Sequence, residues 1–435
     1  MRKGGEEKVM FAAGEPVSWS TSTWIVQGAF FYDDSLYRLL TLARGGISVF
    51  EVLKNSNHTV TVNFGAEGKY CIRLLARLDQ GLNRIQVVNY GHHYQLLLNG
   101  RLVDEDWPRI PIDINGTVCV QNFIDACIQT GLPKPMIPYE VGQVITIDQV
   151  LHDGDNCFFG DCMPMWHDGV YHLFYLYDRR RHGSKCGMSG HRWAHISTTD
   201  LVHWTRHPFA VNIDRIEEAT FRTGTVMFHD GKFYAFYVIL TNDGSPAPVA
   251  YSVSTDGIHF EKTPYRFYLD EKYENVGLRD PNVFEDEQGL LHMFLSTKLR
   301  HADGTRQGCI LHYTAQDVDS WVMDEKPFLV VDMDEYPECS DYFVWNGKYY
   351  FSYCIQSVSH YMVSDQPFSG FEYHADQLLG GNGFAVPKSA WFHGRRIAAG
   401  FSWTPYFSYG GEPVFLEMLQ RPDGKLDFRI PPELC

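Results

Sequence analysis

Three carboxylates stand where they could work together: Asp161 in FFGDCMPMW, Asp280 in VGLRDPNVFEDE and Glu338 in DEYPECSDYF. Each lies a few residues ahead of a run of alternating aromatic and aliphatic residues. Glycosidic bonds are cleaved by two carboxyl groups flanking the anomeric carbon, one protonating the leaving oxygen and the other attacking the carbon or activating water. Isolated acids beside buried strands suit that chemistry. Arg279, adjacent to Asp280, is expected to keep that carboxylate ionised and to grip it in a fork. Glu338 is expected to titrate high, because burial and neighbouring carboxylates both disfavour its charge. Structural readings compete: Asp161 follows Gly160 as a turn aspartate does, Asp280 could serve an ion pair, and Asp334, Glu335 and Asp341 compete with Glu338.

The elements that must position these acids repeat. HDGVYHLFYLY from His167, HDGKFYAFYVI from His229, DEQGLLHMFLST from Asp286, WNGKYYFSYC from Trp345 and FHGRRIAAGFSW from Phe392 share one pattern. Each is a polar turn carrying Gly followed by an alternating apolar run, as in a hairpin entering a buried strand. Their spacing, roughly 45 to 60 residues, suits a four-stranded propeller blade. An acid just before each repeat would sit on the strand lining the central channel. Helical periodicity is weak, and Gly and Pro interrupt the chain often. The expected fold is therefore all-β, with a five-bladed β-propeller over residues 145–435. Residues 1–135 read as an N-terminal, lectin-like β-sandwich, from strands such as ISVFEVL, HTVTVNF and YQLLLNGRLV. GLPKPMIPYEVGQ forms a linker between the two.

The chain has 435 residues, 44% of them hydrophobic and 15% aromatic, and a formal net charge of -16. A diffuse acidic surface repels nucleic acid and anionic lipid, so neither is an expected partner. Arg179 to Arg181 with Lys185 form a single basic cluster, expected in a solvated loop. No apolar run reaches the roughly 18 residues of a membrane span, and the start, MRKGGEEKVMFAAGEP, has no apolar stretch of leader length. A cytoplasmic protein is expected, one in which the Asn57 and Asn115 sequons carry no meaning. Ten cysteines without CxxC pairs suggest free thiols rather than a zinc or disulfide framework.

The second part of the chain, about residues 155 to 435, resembles glycoside hydrolase family 32, the invertase, inulinase and levanase family. WAHISTTDLVHWTRHPFAV resembles the stretch after that family's first motif, LRDPNVF its Arg-Asp-Pro motif and ECSDYF its Glu-Cys motif. GRRIAAGFSW, followed by MLQRPDGKLDFRIPPEL, is similar to its fifth blade and exit. The resemblance implies Asp161 as nucleophile, Asp280 as transition-state stabiliser and Glu338 as acid/base. It implies retaining hydrolysis of an oligosaccharide substrate, with no metal or cofactor.

The sequence also departs from that pattern. The Asn that usually precedes the nucleophile is Gly160 here, a Gln of the first blade is Leu176, and the β domain precedes the propeller instead of following it. Lost polar partners in a sugar subsite shift specificity strongly. Phe159, Trp166, Trp193, Phe221 and Trp403 are candidates to stack on sugar rings, and His195, Arg222 and Arg279 to supply polar contacts. Two rivals remain open. One is an inverting arabinofuranosidase or xylosidase of the family 43 kind, with carboxyls about 6.5 to 9.5 Å apart rather than about 5 to 5.5 Å. The other is a non-catalytic sugar-binding propeller.

Overall fold

The computed structural model describes residues 8–12, 15–19, 23–66, 69–110, 112, 114–130, 134–147, 149, 158–178, 183–381, 383–403 and 409–435. Arg179 to Arg181 of the basic cluster, and the Gly131–Pro133 part of the linker, lie outside the described residues.

Alternation of apolar and polar residues builds the N-terminal part. In Thr59–Ala66, Val60, Val62 and Phe64 are all fully buried, as the two-residue period of a strand with one face on a core requires. Strands Lys8–Met10, Ile124–Gln129, Trp24–Phe31, Leu82–Asn89, Tyr94–Leu98 and Arg101–Asp106 pair in that order as one sheet. Pro16–Trp19, Ile114–Val120, Tyr37–Arg44, Ile47–Lys54, Thr59–Ala66 and Lys69–Arg77 form the other. Trp24, Val26 and Phe30 of the first sheet share a core with Leu40, Phe50 and Leu74 of the second, which makes the pair a sandwich. The LLNGRL turn is closed by Asn99 and Gly100, at φ 50° and 81°, the pair of positive values that a two-residue hairpin with type I′ geometry demands.

Five further sheets follow in chain order among the described residues. Their innermost strands are Phe158–His167, Thr225–His229, Arg279–Glu285, Glu338–Trp345 and Phe384–Phe392. Each touches the next, and the last touches the first, closing a ring. This is a β-propeller, and the repeated HDG, NG and HG turns join each inner strand to its neighbour: Asp168, Asp230, Asn346 and His393 all take positive φ ahead of a glycine. The chain enters on Val144–Thr146, the outermost strand of the first sheet. Among the described residues the fifth sheet has the expected four strands, the first three have five and the fourth has three.

Four of the five inner strands break register at the same level. The breaks fall between Phe159 and Cys162, Arg279 and Asn282, Glu338 and Asp341, and Ala385 and Lys388. Asp280, Cys339 and Val386 occupy the extra positions at φ 58°, 51° and 43°. Such bulges re-aim one side chain away from the pleat. Here they turn residues of successive sheets toward the axis, and the left-handed backbone at a β-branched valine marks a strained site held by its surroundings.

The sandwich meets the first propeller sheet through buried charge. Arg192 Nη2 donates to Glu105 Oε1, with side chains 3% and 0% exposed. His93 Nε2 lies 2.9 Å from Glu105 Oε2, and Gln95 Nε2 donates to that oxygen at 3.2 Å. The Arg192 guanidinium also faces the rings of Phe209 at 4.1 Å and Trp107 at 4.8 Å. Trp107, at the end of the sandwich, is packed within a propeller core that includes Met163, Phe174 and Trp193. Among the described residues, no helix is long and apolar enough to cross a membrane.

Candidate active site

The bulges converge on a cavity of about 280 Å³ whose wall includes Asp161, Asp280 and Glu338. Asp161 comes from the first sheet, Asp280 from the third and Glu338 from the fourth.

Asp161 is held at both oxygens. Thr223 Oγ1 donates to Oδ2, and the Tyr409 hydroxyl donates to Oδ1 at 2.9 Å while accepting the Asp161 backbone N–H at 3.0 Å. The Cys339 thiol lies 3.4 Å from Asp161 Oδ2 and 3.6 Å from Asp280 Oδ2, one donor between two carboxylates. Asp280 is 3% exposed and accepts the Cys339 backbone N–H at 2.8 Å. The left-handed turn at Cys339 thus aims its amide at Asp280 while leaving the preceding Glu338 on the cavity wall.

Arg279 departs from expectation. Its Nη1 donates to Glu338 Oε1, Nε donates to the Gly277 carbonyl at 3.0 Å, and the guanidinium lies 4.0 Å from the centre of the Tyr336 ring. The expected fork on Asp280 is absent from the hydrogen bonds of Arg279, because the bulge turns the two adjacent side chains apart. Nor does Arg279 hold Asp280 low. Burial pushes the Asp280 carboxyl above its usual range, outweighing the Arg279 charge that pulls it down. Burial also raises Glu338, opposed by Arg279, and raises Asp161, opposed by the Thr223 and Tyr409 hydrogen bonds. The three carboxyls titrate as a set.

These directions set a pH expectation. The Arg279 charge lowers Glu338, so removing it raises that carboxyl further. A general acid works only while protonated, so with Glu338 in that role Arg279→Gln should move the alkaline limb of kcat/KM to higher pH, by about 1 unit or more. A limb that stays in place or moves down would contradict the pairing.

Arg222 and Trp403 also line the cavity, as does Leu176. Arg222 Nε is buried and has no hydrogen-bond partner among the described residues, an arrangement that a bound polar ligand would complete. The other candidates lie elsewhere. Phe159 stacks on Tyr175 at 4.1 Å, and Trp166 meets Phe392 edge-on at 5.6 Å. Phe221 meets Tyr237 edge-on at 5.3 Å. His195 stacks on Phe174 at 4.1 Å, with Nε2 3.0 Å from His172 Nδ1. Trp193 is fully buried, and its Nε1 donates to the Arg222 carbonyl at 3.1 Å. Phe159, Trp166, Trp193, His195 and Phe221 are not among the residues lining this cavity; Phe159, Trp193, His195 and Phe221 are buried and Trp166 is half-buried.

Thr223, Cys339 and Tyr409 were not among the residues picked out from the sequence. Thr223 could have been found, since FRTGT precedes the second repeat as Asp161 precedes the first. Tyr409 gives no local signal.

A family model described as the Glycosyl hydrolases family 32 N-terminal domain matches residues 162–390, beginning immediately after Asp161 and including Asp280 and Glu338. The sucrose-6-phosphate hydrolase of Zymomonas mobilis is 26% identical over 230 residues, covering 51% of this chain and 42% of that protein. The chain thus spans less than half the length of these curated relatives. Among solved structures, the GH32 β-fructofuranosidase of Bombyx mori is similar with a TM-score of 0.51 at 17% identity, over 66% of this chain and 69% of that one. Fructan 1-exohydrolase IIa of Cichorium intybus gives 0.52 at 17%, over 68% and 61%. At such identities the structural likeness shows the fold alone.

Proposed function

The chain belongs to glycosyl hydrolase family 32, and from that premise we propose that it hydrolyses a furanoside, most directly a β-fructofuranoside of a short oligosaccharide, with retention of configuration. Asp161 attacks the anomeric carbon while Glu338 gives its proton to the departing oxygen. Glu338 then takes a proton from the water that attacks the glycosyl-enzyme carbon, and Asp161 leaves as carboxylate. Asp280 holds ring hydroxyls, and Arg222 and Trp403 supply a polar and a stacking contact.

The observation that carries this reading is the convergence of three carboxyls from three sheets on one cavity, with Asp161 fastened at both oxygens. A nucleophile must be held in one attack geometry. The cavity volume, about 280 Å³, lies just below the usual small-molecule range of about 300 to 1,000 Å³. It suits one sugar ring, and hence exo-cleavage. The curated relatives are named sucrose-6-phosphate hydrolases, which supports a small fructoside as substrate, and we place its action in the cytoplasm. In this reading residues 145–435 are the five-bladed catalytic unit, and residues 1–135 support it through Glu105 and Trp107.

Sucrose, short inulin and levan oligosaccharides, and aryl arabino- and xylofuranosides would be incubated with the protein. Released sugar is followed by chromatography and its anomeric form by immediate NMR. Fructose released with retention is expected. A pentose released with inversion would move the enzyme to the family 43 mechanism, and release from none of them would favour a sugar-binding propeller.

A further inference from the structure

Gly160 and Tyr409 fit each other across the ring closure. Gly411 N–H donates to the Phe159 carbonyl at 3.0 Å, and the two residues form a bridge between the last sheet's hairpin and the first inner strand. That bridge carries Tyr409 over Gly160. A Cβ at position 160 would come 2.4 Å from the Tyr409 hydroxyl and 2.8 Å from the Leu176 carbonyl. Contacts that close do not occur, so any other residue at 160 would displace the hydroxyl or the strand. The hydroxyl occupies the space a side chain at 160 would take, and it makes two hydrogen bonds to Asp161. The ring is backed by His191, stacked at 4.9 Å between centroids.

We infer that Tyr409 is a positioning residue for Asp161, and that Gly160 is the notch that admits its hydroxyl. The inference rests on the reading of Asp161 as nucleophile. Accepting from the backbone N–H and donating to Oδ1 of the same residue, one hydroxyl fixes the carboxylate's rotation about its own strand. Thr223 then fixes the second oxygen. The charged and titratable groups otherwise facing Asp161 are Glu338, Asp280, Cys339, Cys162, Cys354, Arg222 and Lys388. None of these reaches Oδ1 by a hydrogen bond among the described contacts. The tyrosine thus reaches Asp161 from the fifth sheet through the space that a side chain at position 160 would fill.

The test separates this role from the reaction. The Asp161 carboxyl is followed by 13C NMR in aspartate-labelled protein and assigned by its absence in Asp161→Asn. In Tyr409→Phe, losing a hydrogen bond to the ionised form should raise its titration by about 1 pH unit. The acid limb of kcat/KM moves with it, and the unfolding midpoint in denaturant reports whether the fold is retained. Gly160→Ala keeps the tyrosine but forces its hydroxyl away. It should give a similar upward displacement, and the double variant no more than either alone, as expected of two changes breaking one contact. An unchanged Asp161 titration in a folded Tyr409→Phe protein, or fully additive displacements, would overturn the inference. Displacement in a protein that hydrolyses none of the sugars supports the tyrosine's role and overturns the fructosidase reading instead.

Discussion

Asp161→Asn is expected to lower fructose release by on the order of 10⁴-fold, since a carboxamide can neither attack the anomeric carbon nor balance the positive charge that develops on it. The substitution is nearly isosteric, so KM for the substrate changes far less than kcat. Glu338→Gln behaves differently. A general acid contributes about 10²- to 10⁴-fold, and that help is needed least when the leaving group is already acidic. Hydrolysis of a nitrophenyl fructoside should therefore survive Glu338→Gln much better than hydrolysis of sucrose, while Asp161→Asn abolishes both. Equal losses on the two substrates in Glu338→Gln would remove the acid role from that residue. An active Asp161→Asn would remove the nucleophile.

The second large effect is on stability, away from the cavity. Glu105→Ala leaves the Arg192 guanidinium buried with its carboxylate partner gone, and takes from His93 its carboxylate contact, while Gln95 keeps its bonds to the Met136 backbone. Removing one member of a buried pair typically costs about 3 to 5 kcal/mol, because the remaining charge is uncompensated. Urea denaturation should show the midpoint falling by a corresponding amount. Glu105→Gln retains an acceptor and should lose less. The Phe209 and Trp107 faces beside Arg192 give partial relief, so a loss below about 1 kcal/mol in Glu105→Ala would mean that the rings, and not the carboxylate, hold the two units together.

The three acids were visible in the sequence because each precedes a repeat, and the repeat spacing gives the sheet each belongs to. What surrounds them was far less legible. Tyr409 stands 248 positions from Asp161 in the chain, and only closure of the ring brings them together. Arg279 reads as the partner of its neighbour Asp280, yet a bulge sends adjacent side chains in different directions and gives the arginine to Glu338. Of the aromatic candidates Trp403 lines the cavity, and the others lie away from it for a general reason. In a propeller both faces of each sheet are covered, so Phe159, Trp193 and Phe221 satisfy the alternating pattern without any of them facing the axis. Thr223 shows the reverse case: its position before the second repeat carried the same information as that of Asp161, but a hydroxyl does not advertise chemistry as a carboxylate does.

Asp161 is fastened by Thr223 from the second sheet, Cys339 from the fourth and Tyr409 from the fifth. A chain emerging from the ribosome would already carry all three carboxyl groups long before residue 409 appears, yet the attacking group would lack its last tether. Competence for hydrolysis would thus arrive late in biosynthesis, when the final hairpin seats, and loosening of that hairpin would silence the enzyme while most of the molecule remained folded.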